Sequence, residues 1–393
     1  MTEMQAIIEA SRRAAEQNVR GALATVVRVE GSSYRRPGAR MFVTKAGERT
    51  GILSGGCLEG DVAERALKVI ESGEPVVVTY DTTADDDIVW GLGIGCRGVV
   101  QVLIEPAAGD RFKSLTQFLD ECLQSKERGA IATVIDRAEG AEIEIGARAL
   151  LHPYGYWSAD ESLEKLFPES TIIDDLRDAL RKGVSSVKRF ELDAGVVEVL
   201  FEVIEPPVPL VICGAGDDAL PLVAWARSLG WHTTLVDTRA RALTVERFAH
   251  ADEVVLCRPE EVRDRLRLTE KTVVVMMTHN YLHDVELLRT LLHTPLRYLG
   301  CLGPRYRTEK LLRDVADEVS GTYLGQLYAP AGLDIGADTP AEVACSIVAE
   351  INAVLSGREG GLLRKRKGPI HMPAQSATRT FEAVKFQCEV AVA

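Results

Sequence analysis

The segment that most constrains this chain is the turn Cys213-Gly214-Ala215-Gly216-Asp217-Asp218-Ala219. An apolar strand pattern, Leu210 to Cys213, leads into it, and a helical pattern, Ala219 to Leu229, leads out. Gly214 occupies the tight turn, Gly216 lets a ligand phosphate approach the backbone, and Ala219 supplies the third small position of a dinucleotide fingerprint. A helix that starts here presents free backbone N–H groups and the positive end of its dipole. Asp237 closes the next strand, where a carboxylate accepts from ribose hydroxyls. Asp217 and Asp218 stand where a pyrophosphate would pass, and they repel it unless they point away or cap the helix. The turn is therefore open to two readings. One is a nucleotide-type site; the other is only the bend that a strand-to-helix junction needs.

The pattern around this turn sets the architecture. Strands at Leu210–Cys213, Thr233–Val236, Glu253–Leu256, Thr272–Met276 and Arg297–Leu299 alternate with helices, as in a parallel sheet covered on both faces. The proline run Glu205-Pro206-Pro207-Val208-Pro209 marks the boundary before them, because a proline run does not continue a sheet interior. Upstream, strands near Ala22–Val29, Arg40–Thr44, Arg49–Leu53, Val76–Tyr80 and Val99–Glu105 surround a helix over Leu58–Glu71 with Gly73 at its end. Helices over Phe112–Gln124 and Leu163–Arg181, the latter broken at Pro168, and strands at Ala130–Asp136, Arg148–His152, Val187–Leu192 and Val196–Ile204 continue that domain. The expectation is an α/β protein: an N-terminal α+β domain over residues 1–205, a C-terminal Rossmann-type parallel-sheet domain over 206–368, and a tail over 369–393.

Composition narrows the function. The net charge of -12 argues against a nucleic-acid partner, since a phosphate backbone needs a basic face. The basic cluster Arg364-Lys365-Arg366-Lys367 reads as a solvated helix end or tail. No apolar run approaches the ~20 residues of a membrane span, and Met1-Thr2-Glu3-Met4-Gln5 has neither a basic start nor an apolar signal core. Met4, Ile7, Ile8 and Ala15 suit a short amphipathic helix. A cytoplasmic protein is expected. Its eight cysteines show no CxxC spacing, which suits free thiols in a reducing compartment.

Two cysteines stand apart. Cys57 follows Gly55 and Gly56 and begins a helix, so the dipole is expected to favour its thiolate. Cys96 lies in a second glycine-rich loop beside Arg97. Each is open to a packing role or to sulfur or soft-metal chemistry; Cys122, Cys213, Cys257, Cys301, Cys345 and Cys388 read as core. The loop Gly31–Gly38 offers Ser32, Ser33, Tyr34, Arg35 and Arg36, a hydroxyl and guanidinium set that suits an anion or serves as a plain surface loop.

At the carboxyl ends of the C-terminal strands, Met277–Asp284 places His279 and His283 four apart, either sharing a helical face as metal ligands or with His283 in solvent. Leu299–Arg307 ends a strand and opens a helix, where Arg305 and Arg307 can hold a phosphate. Ala329–Pro340 is a third glycine-rich loop, with Thr339 placed to cap the next helix and Pro340 in its first turn.

Seven stretches in order resemble the XdhC/CoxI family: Gly31–Gly38, Ser54–Glu59, Trp90–Gly98, Gly214–Gly216, Met277–Asn280, Leu299–Gly303 and Gly332–Gly336. Members are accessory proteins of molybdenum hydroxylases such as xanthine dehydrogenase. The resemblance implies a chaperone, more than an enzyme with its own turnover. It would bind the molybdenum cofactor, as molybdopterin or its dinucleotide form, assist its sulfuration and deliver it to the hydroxylase apo-enzyme. It also implies a homodimer and contact with a cysteine desulfurase. Glycine loops with arginines suit the cofactor's phosphate, and an activated thiol suits its soft metal–dithiolene centre. The sites expected on this basis are Cys57 and Cys96 for thiol, sulfur or metal handling, and Ser32, Ser33, Arg35, Arg36, Gly55, Gly56, Gly214, Gly216, Asp237, His279 and Arg305 for cofactor contact, with any metal ligands unassigned. The competing reading is an NAD(P)-dependent oxidoreductase, motivated by Gly214, Gly216 and Asp237, with His279 as its one plausible acid–base group.

Overall fold

The computed structural model describes residues 2–31, 33–81, 98–167, 169–192, 195–238, 242–316, 323–367 and 384–385. The chain divides into two compact units, one built on Glu3–Pro206 and the other on Pro207–Arg366. The change falls in the proline run, where the backbone has few hydrogen-bond donors to offer a sheet.

The N-terminal unit opens with α1 (Glu3–Glu16), β1 (Gly21–Gly31), β2 (Arg40–Thr44), β3 (Arg49–Gly51), α2 (Glu59–Ser72), β4 (Val76–Asp81) and β5 (Gly98–Pro106). It continues with α3 (Gly109–Ser125), β6 (Gly129–Arg137), β7 (Arg148–Leu151), β8 (Trp157–Ala159), α4 (Glu161–Leu166), α5 (Glu169–Lys182), β9 (Ser186–Leu192) and β10 (Gly195–Ile204). Two antiparallel sheets result, of order β3-β2-β1-β5-β4 and β9-β10-β6-β7-β8. Strand alternation gives each sheet two apolar faces. The outer face of the first sheet packs on α2 through Ala24, Val26, Val62 and Ala66, and that of the second on α4 and α5 through Ala132, Val134, Ile172 and Leu176. The inner faces meet at Val27, Leu103, Ile135 and Leu200, and at Leu23 and Ile131, which pack with α1 and α3. Burying each such aliphatic side chain contributes about 1.5–3 kcal/mol.

The C-terminal unit runs β11 (Pro209–Cys213), α6 (Ala219–Ser228), β12 (His232–Asp237), α7 (Ala242–Arg247), β13 (Glu253–Leu256), α8 (Val262–Arg265), β14 (Val273–Met276), α9 (Tyr281–Leu292), β15 (Tyr298–Cys301), α10 (Arg305–Asp314), β16 (Leu327–Tyr328) and α11 (Pro340–Leu355). A two-residue strand, β17 (Val384–Lys385), belongs to the N-terminal unit and adds to the edge of its second sheet, parallel to β9. The C-terminal sheet has order β13-β12-β11-β14-β15-β16, with every neighbouring pair parallel. Leu210 and Ile212 point to a core shared with α6 and α11, whereas Val211 and Cys213 point to one shared with α9 and α10. This is a three-layer Rossmann-type domain whose strand order reverses direction between β11 and β14.

Some local expectations hold and others shift. The helix expected to begin at Cys57 begins at Glu59, with Leu58 as its N-cap, so Cys57 lies one residue before the cap. The helix over Leu163–Arg181 is two helices, α4 and α5. Thr339 caps α11 through a reciprocal box with Glu342, and Pro340 opens the first turn. Cys345 is half-buried, unlike the buried Cys122, Cys213, Cys257 and Cys301; Cys388 lies outside the described residues.

Candidate functional site

In the N-terminal unit the sequence Ser54-Gly55-Gly56-Cys57-Leu58-Glu59 folds into a loop closed by its own carboxylate. Glu59 Oε1 accepts from the backbone N–H groups of Leu53 at 3.0 Å, Ser54 at 2.8 Å and Gly55 at 3.2 Å. Its Oε2 accepts from Gly56 N–H at 2.9 Å and from the Ser54 hydroxyl at 2.6 Å. Burial opposes ionisation of Glu59, but the Ser54 hydroxyl and the surrounding backbone N–H groups outweigh it and hold the carboxyl at about 2. Gly55 and Gly56 therefore spend their amides on an internal anion, not on a ligand phosphate. What the loop presents is Cys57, half-buried against the α2 core.

A second loop is fastened to the first. Arg35 forms a two-pronged pair with Glu3 on α1, at 3.1 and 2.5 Å, and Glu3 also accepts from Ile52 N–H at 2.9 Å. The Tyr34 ring lies over Gly55, close enough that a Cβ there would stand 3.4 Å from it. Ser33 turns its hydroxyl back to the Arg35 carbonyl at 2.9 Å. Arg36 is exposed. The structure thus gathers Ser33, Tyr34, Arg35, Gly55, Gly56 and Cys57, with Arg36 on the same loop. Ser32 and Cys96, and the stretch Trp90–Arg97 around the latter, lie outside the described residues. Beyond Cys57, Asp61 accepts from the Tyr80 hydroxyl at 2.6 Å and from Arg65 Nε at 2.6 Å, tying α2 to the end of β4.

In the C-terminal unit a cavity of about 360 Å³ opens at the carboxyl ends of β11, β12, β13 and β14. Gly214, Asp237, Thr278, His279 and His283 are among its lining. Gly214 has φ 124°, and a Cβ there would collide with the Met277 carbonyl, so only glycine fits. Asp237 is buried at the end of β12. The two aspartates after the turn have separate partners: Asp217 pairs with Arg247, and Asp218 Oδ2 meets His279 Nε2 at 2.7 Å. Asp218 also folds back against Gly216, into the space a Cβ would need. Asp218 stands at the N-cap of α6 without a side-chain capping bond.

His279 and His283 do not share a helical face. His279 precedes α9 with φ 55°, and His283 lies in its first turn. Among the described residues no three His, Cys, Asp or Glu side chains group as a metal site. The two arginines opening α10 also part company. Arg307 donates at 2.7 Å to Asp284, whose buried carboxylate takes the Thr278 hydroxyl at 2.6 Å, whereas Arg305 is exposed.

Comparison with known proteins places both units. Residues 210–351 match the XdhC Rossmann domain, and residues 14–81 match the XdhC and CoxI family. A Bacillus subtilis (strain 168) protein named as a probable subunit of xanthine dehydrogenase is 32% identical over 337 residues, 86% of this chain and 93% of the relative. The chain belongs to the XdhC and CoxI family. Escherichia coli (strain K12) YqeB, an uncharacterized protein, is 30% identical over 162 residues, 41% of this chain and 30% of its own length. A solved Bacillus halodurans structure named as a xanthine dehydrogenase aligns with TM-score 0.70 and 28% identity, covering 91% of this chain and 97% of that one.

In this XdhC-family chain, the expected residues that are described fall, apart from the exposed Arg305, into two clusters in separate units: the Cys57 loops, and Gly214, Asp237 and His279 around the cavity with Gly216 beside His279. Reading the sequence placed Asp284 at the carboxyl edge of the sheet but missed Glu59 and the partners of Arg35, Asp218 and Asp284. Glu59 had a local signal, a carboxylate three residues after a glycine pair at a helix start. The others pair over distances that sequence spacing does not encode.

Proposed function

We propose that this chain binds the molybdenum cofactor at the loops of its N-terminal unit and acts as an accessory protein in the maturation of a molybdenum hydroxylase. Membership of the XdhC and CoxI family supports the maturation role. The observation that carries the site is the Cys57 loop, fixed in shape by Glu59 and joined by Tyr34 and the Arg35–Glu3 pair. These residues fit the group in a specific way. Cys57 offers a soft sulfur donor, the Tyr34 ring offers a face for a pterin, and the exposed Arg36 offers charge to its phosphate. The Gly55 and Gly56 amides have no share in phosphate binding, because Glu59 holds them. When bound, the cofactor supplies the metal and dithiolene chemistry; the chain's part is to hold it, shield it and present it. Assistance in sulfuration at Cys57, delivery to an apo-hydroxylase, a cysteine desulfurase as sulfur source, a homodimer and a cytoplasmic site follow from the same reading. No described helix is long and apolar enough to cross a membrane.

The test is purification from a host that makes molybdopterin, followed by oxidation and measurement of pterin fluorescence, with native mass spectrometry for ligand and oligomer mass. Bound pterin that is lost on Cys57→Ala is expected. A protein that retains no pterin at micromolar concentrations with Cys57 reduced refutes the assignment.

A second ligand reading concerns the C-terminal cavity. Its size and the buried Asp237 favour the nucleoside end of a ligand, while the Asp218–His279 pair opposes a diphosphate at Gly216. An NAD(P)-dependent oxidoreductase is the weaker candidate on that ground. Titration with NADH and NADPH, watching nicotinamide fluorescence, decides it, and absence of binding removes it.

A further inference from the structure

The N-terminal unit carries one pattern twice. Gly21–Val27 reads Gly-Ala-Leu-Ala-Thr-Val-Val, and Gly129–Ile135 reads Gly-Ala-Ile-Ala-Thr-Val-Ile. At the same onward spacing, Gly38-Ala39-Arg40 recurs as Gly146-Ala147-Arg148. Gly98–Glu105, Gly-Val-Val-Gln-Val-Leu-Ile-Glu, recurs as Gly195–Glu202, Gly-Val-Val-Glu-Val-Leu-Phe-Glu. The topology repeats with the sequence: β3-β2-β1-β5-β4 in the first sheet corresponds to β8-β7-β6-β10-β9 in the second. Even the irregularities agree. The β1–β5 pairing skips Val27, and the β10–β6 pairing skips Ile135, its equivalent. Val27 and Leu103 then pack on Ile135 and Leu200, so this cluster maps onto itself when the two halves are exchanged.

The ion pairs between the sheets obey the same exchange. Arg40 of the first half holds Glu202 of the second through bonds of 2.7 and 2.6 Å, and Arg148 of the second half holds Glu105 of the first in the same two-pronged way. All four side chains are 4–6% exposed. Each glutamate also touches the loop that ends at the other half's glycine. A Cβ at Gly38 would come within 2.6 Å of Glu202 Oε1, and one at Gly146 within 3.6 Å of Glu105 Oε2. Arg40 further donates to the Gly38 carbonyl at 3.0 Å.

The loops themselves have diverged. Where the first half has Ser33-Tyr34-Arg35-Arg36, the second has Ala141-Glu142-Ile143-Glu144. Ala141 and Ile143 are buried in the second half's own core, which removes that loop as a cationic surface. No counterpart of Gly55-Gly56-Cys57 stands between β8 and α4, which are joined through Asp160 alone.

We infer that the N-terminal unit is an internal duplication with divided roles: the first half presents the ligand loops, and the second braces them, with Glu202 as the positioning residue for the Gly38 end of the Tyr34–Arg36 loop. The ligand part of this rests on the N-terminal cofactor reading above; the bracing does not.

Hydrogen exchange on the full chain, comparing Glu202→Gln with Glu105→Gln, tests it. Glu202→Gln is expected to speed exchange over 31–39 about tenfold and leave 139–147 unchanged, and Glu105→Gln to do the reverse. Pterin retention should fall several-fold for Glu202→Gln only. Glu202→Asp keeps the buried charge and should lie between wild type and Glu202→Gln, which provides a folded variant if the neutral one is too unstable. Loosening of the substituted residue's own loop, or of both loops alike, overturns the bracing. Crossed exchange effects with equal pterin retention in the two variants uphold the bracing and overturn the ligand assignment of the loop.

Discussion

The Asp218 carboxylate lies 2.7 Å from His279 Nε2 and packs against Gly216, on the stretch along which a Rossmann turn lays a diphosphate. A like charge on that path opposes an incoming phosphate, and the buried Asp237 lines the same cavity. Asp218→Asn keeps the shape and removes the charge. ADP affinity by calorimetry is expected to rise about tenfold, the equivalent of roughly 1.4 kcal/mol. Unchanged affinity would show that Asp218 moves aside without cost.

Asp284 and Arg307 make the opposite case, a charge pair that the fold needs. The carboxylate is 4% exposed, and among the described residues the Arg307 guanidinium and the Thr278 hydroxyl hold it. Arg307→Ala strands a buried carboxylate, and urea unfolding should show a loss of about 3–5 kcal/mol. Arg305→Ala, on the exposed first residue of α10, should stay within about 0.5 kcal/mol of wild type. Equal effects from the two substitutions would contradict this assignment.

What the sequence made legible follows its periodicities. Alternating strands and helices after Pro209, and the glycine turn that ends β11, identified the Rossmann-type unit because short-range pattern determines it. Cys57 was visible as a glycine-flanked thiol, but its place outside the helix was not, since the Glu59 carboxylate tightens that loop in three dimensions. The Asp218–His279, Arg35–Glu3 and Arg307–Asp284 contacts join segments that only folding brings together. The Arg40–Glu202 and Arg148–Glu105 pairs lie equally far apart, yet the repeated Gly-Ala-Arg and the repeated strand ending in glutamate recorded them in the sequence for a comparison of the chain with itself.

The cysteines divide by burial, and thiol labelling should follow that division. Burial pushes Cys122 and Cys213 up to about 12 and Cys301 up to about 11, and it raises Cys257 as well. In native protein near neutral pH, iodoacetamide followed by peptide mass mapping should modify Cys57 while these four stay protected until denaturant is added. Cys57→Ala should unfold within about 1 kcal/mol of wild type, since its side chain is only half-buried. A larger loss would make Cys57 a packing residue and remove it from the ligand site.

Glu59 gives the molecule a defined acid sensitivity. Its folded-state value of about 2 lies below the ordinary 4.5, so the unfolded chain binds the proton more tightly than the folded one. The resulting stabilisation is fully present above about 4.5 and is lost as pH falls through about 2. Glu59→Gln removes the ionised acceptor of four backbone N–H groups and the Ser54 hydroxyl, and should cost about 2–3 kcal/mol in urea unfolding at neutral pH. The gap between wild type and variant should shrink steadily as the measurement moves from pH 4.5 toward pH 2. Pterin retention should fall with it, since the same bonds fix the loop that carries Cys57. A gap independent of pH over that window would mean that Glu59 holds the loop as a neutral acid, and that the charge on its carboxylate is not what closes the nest.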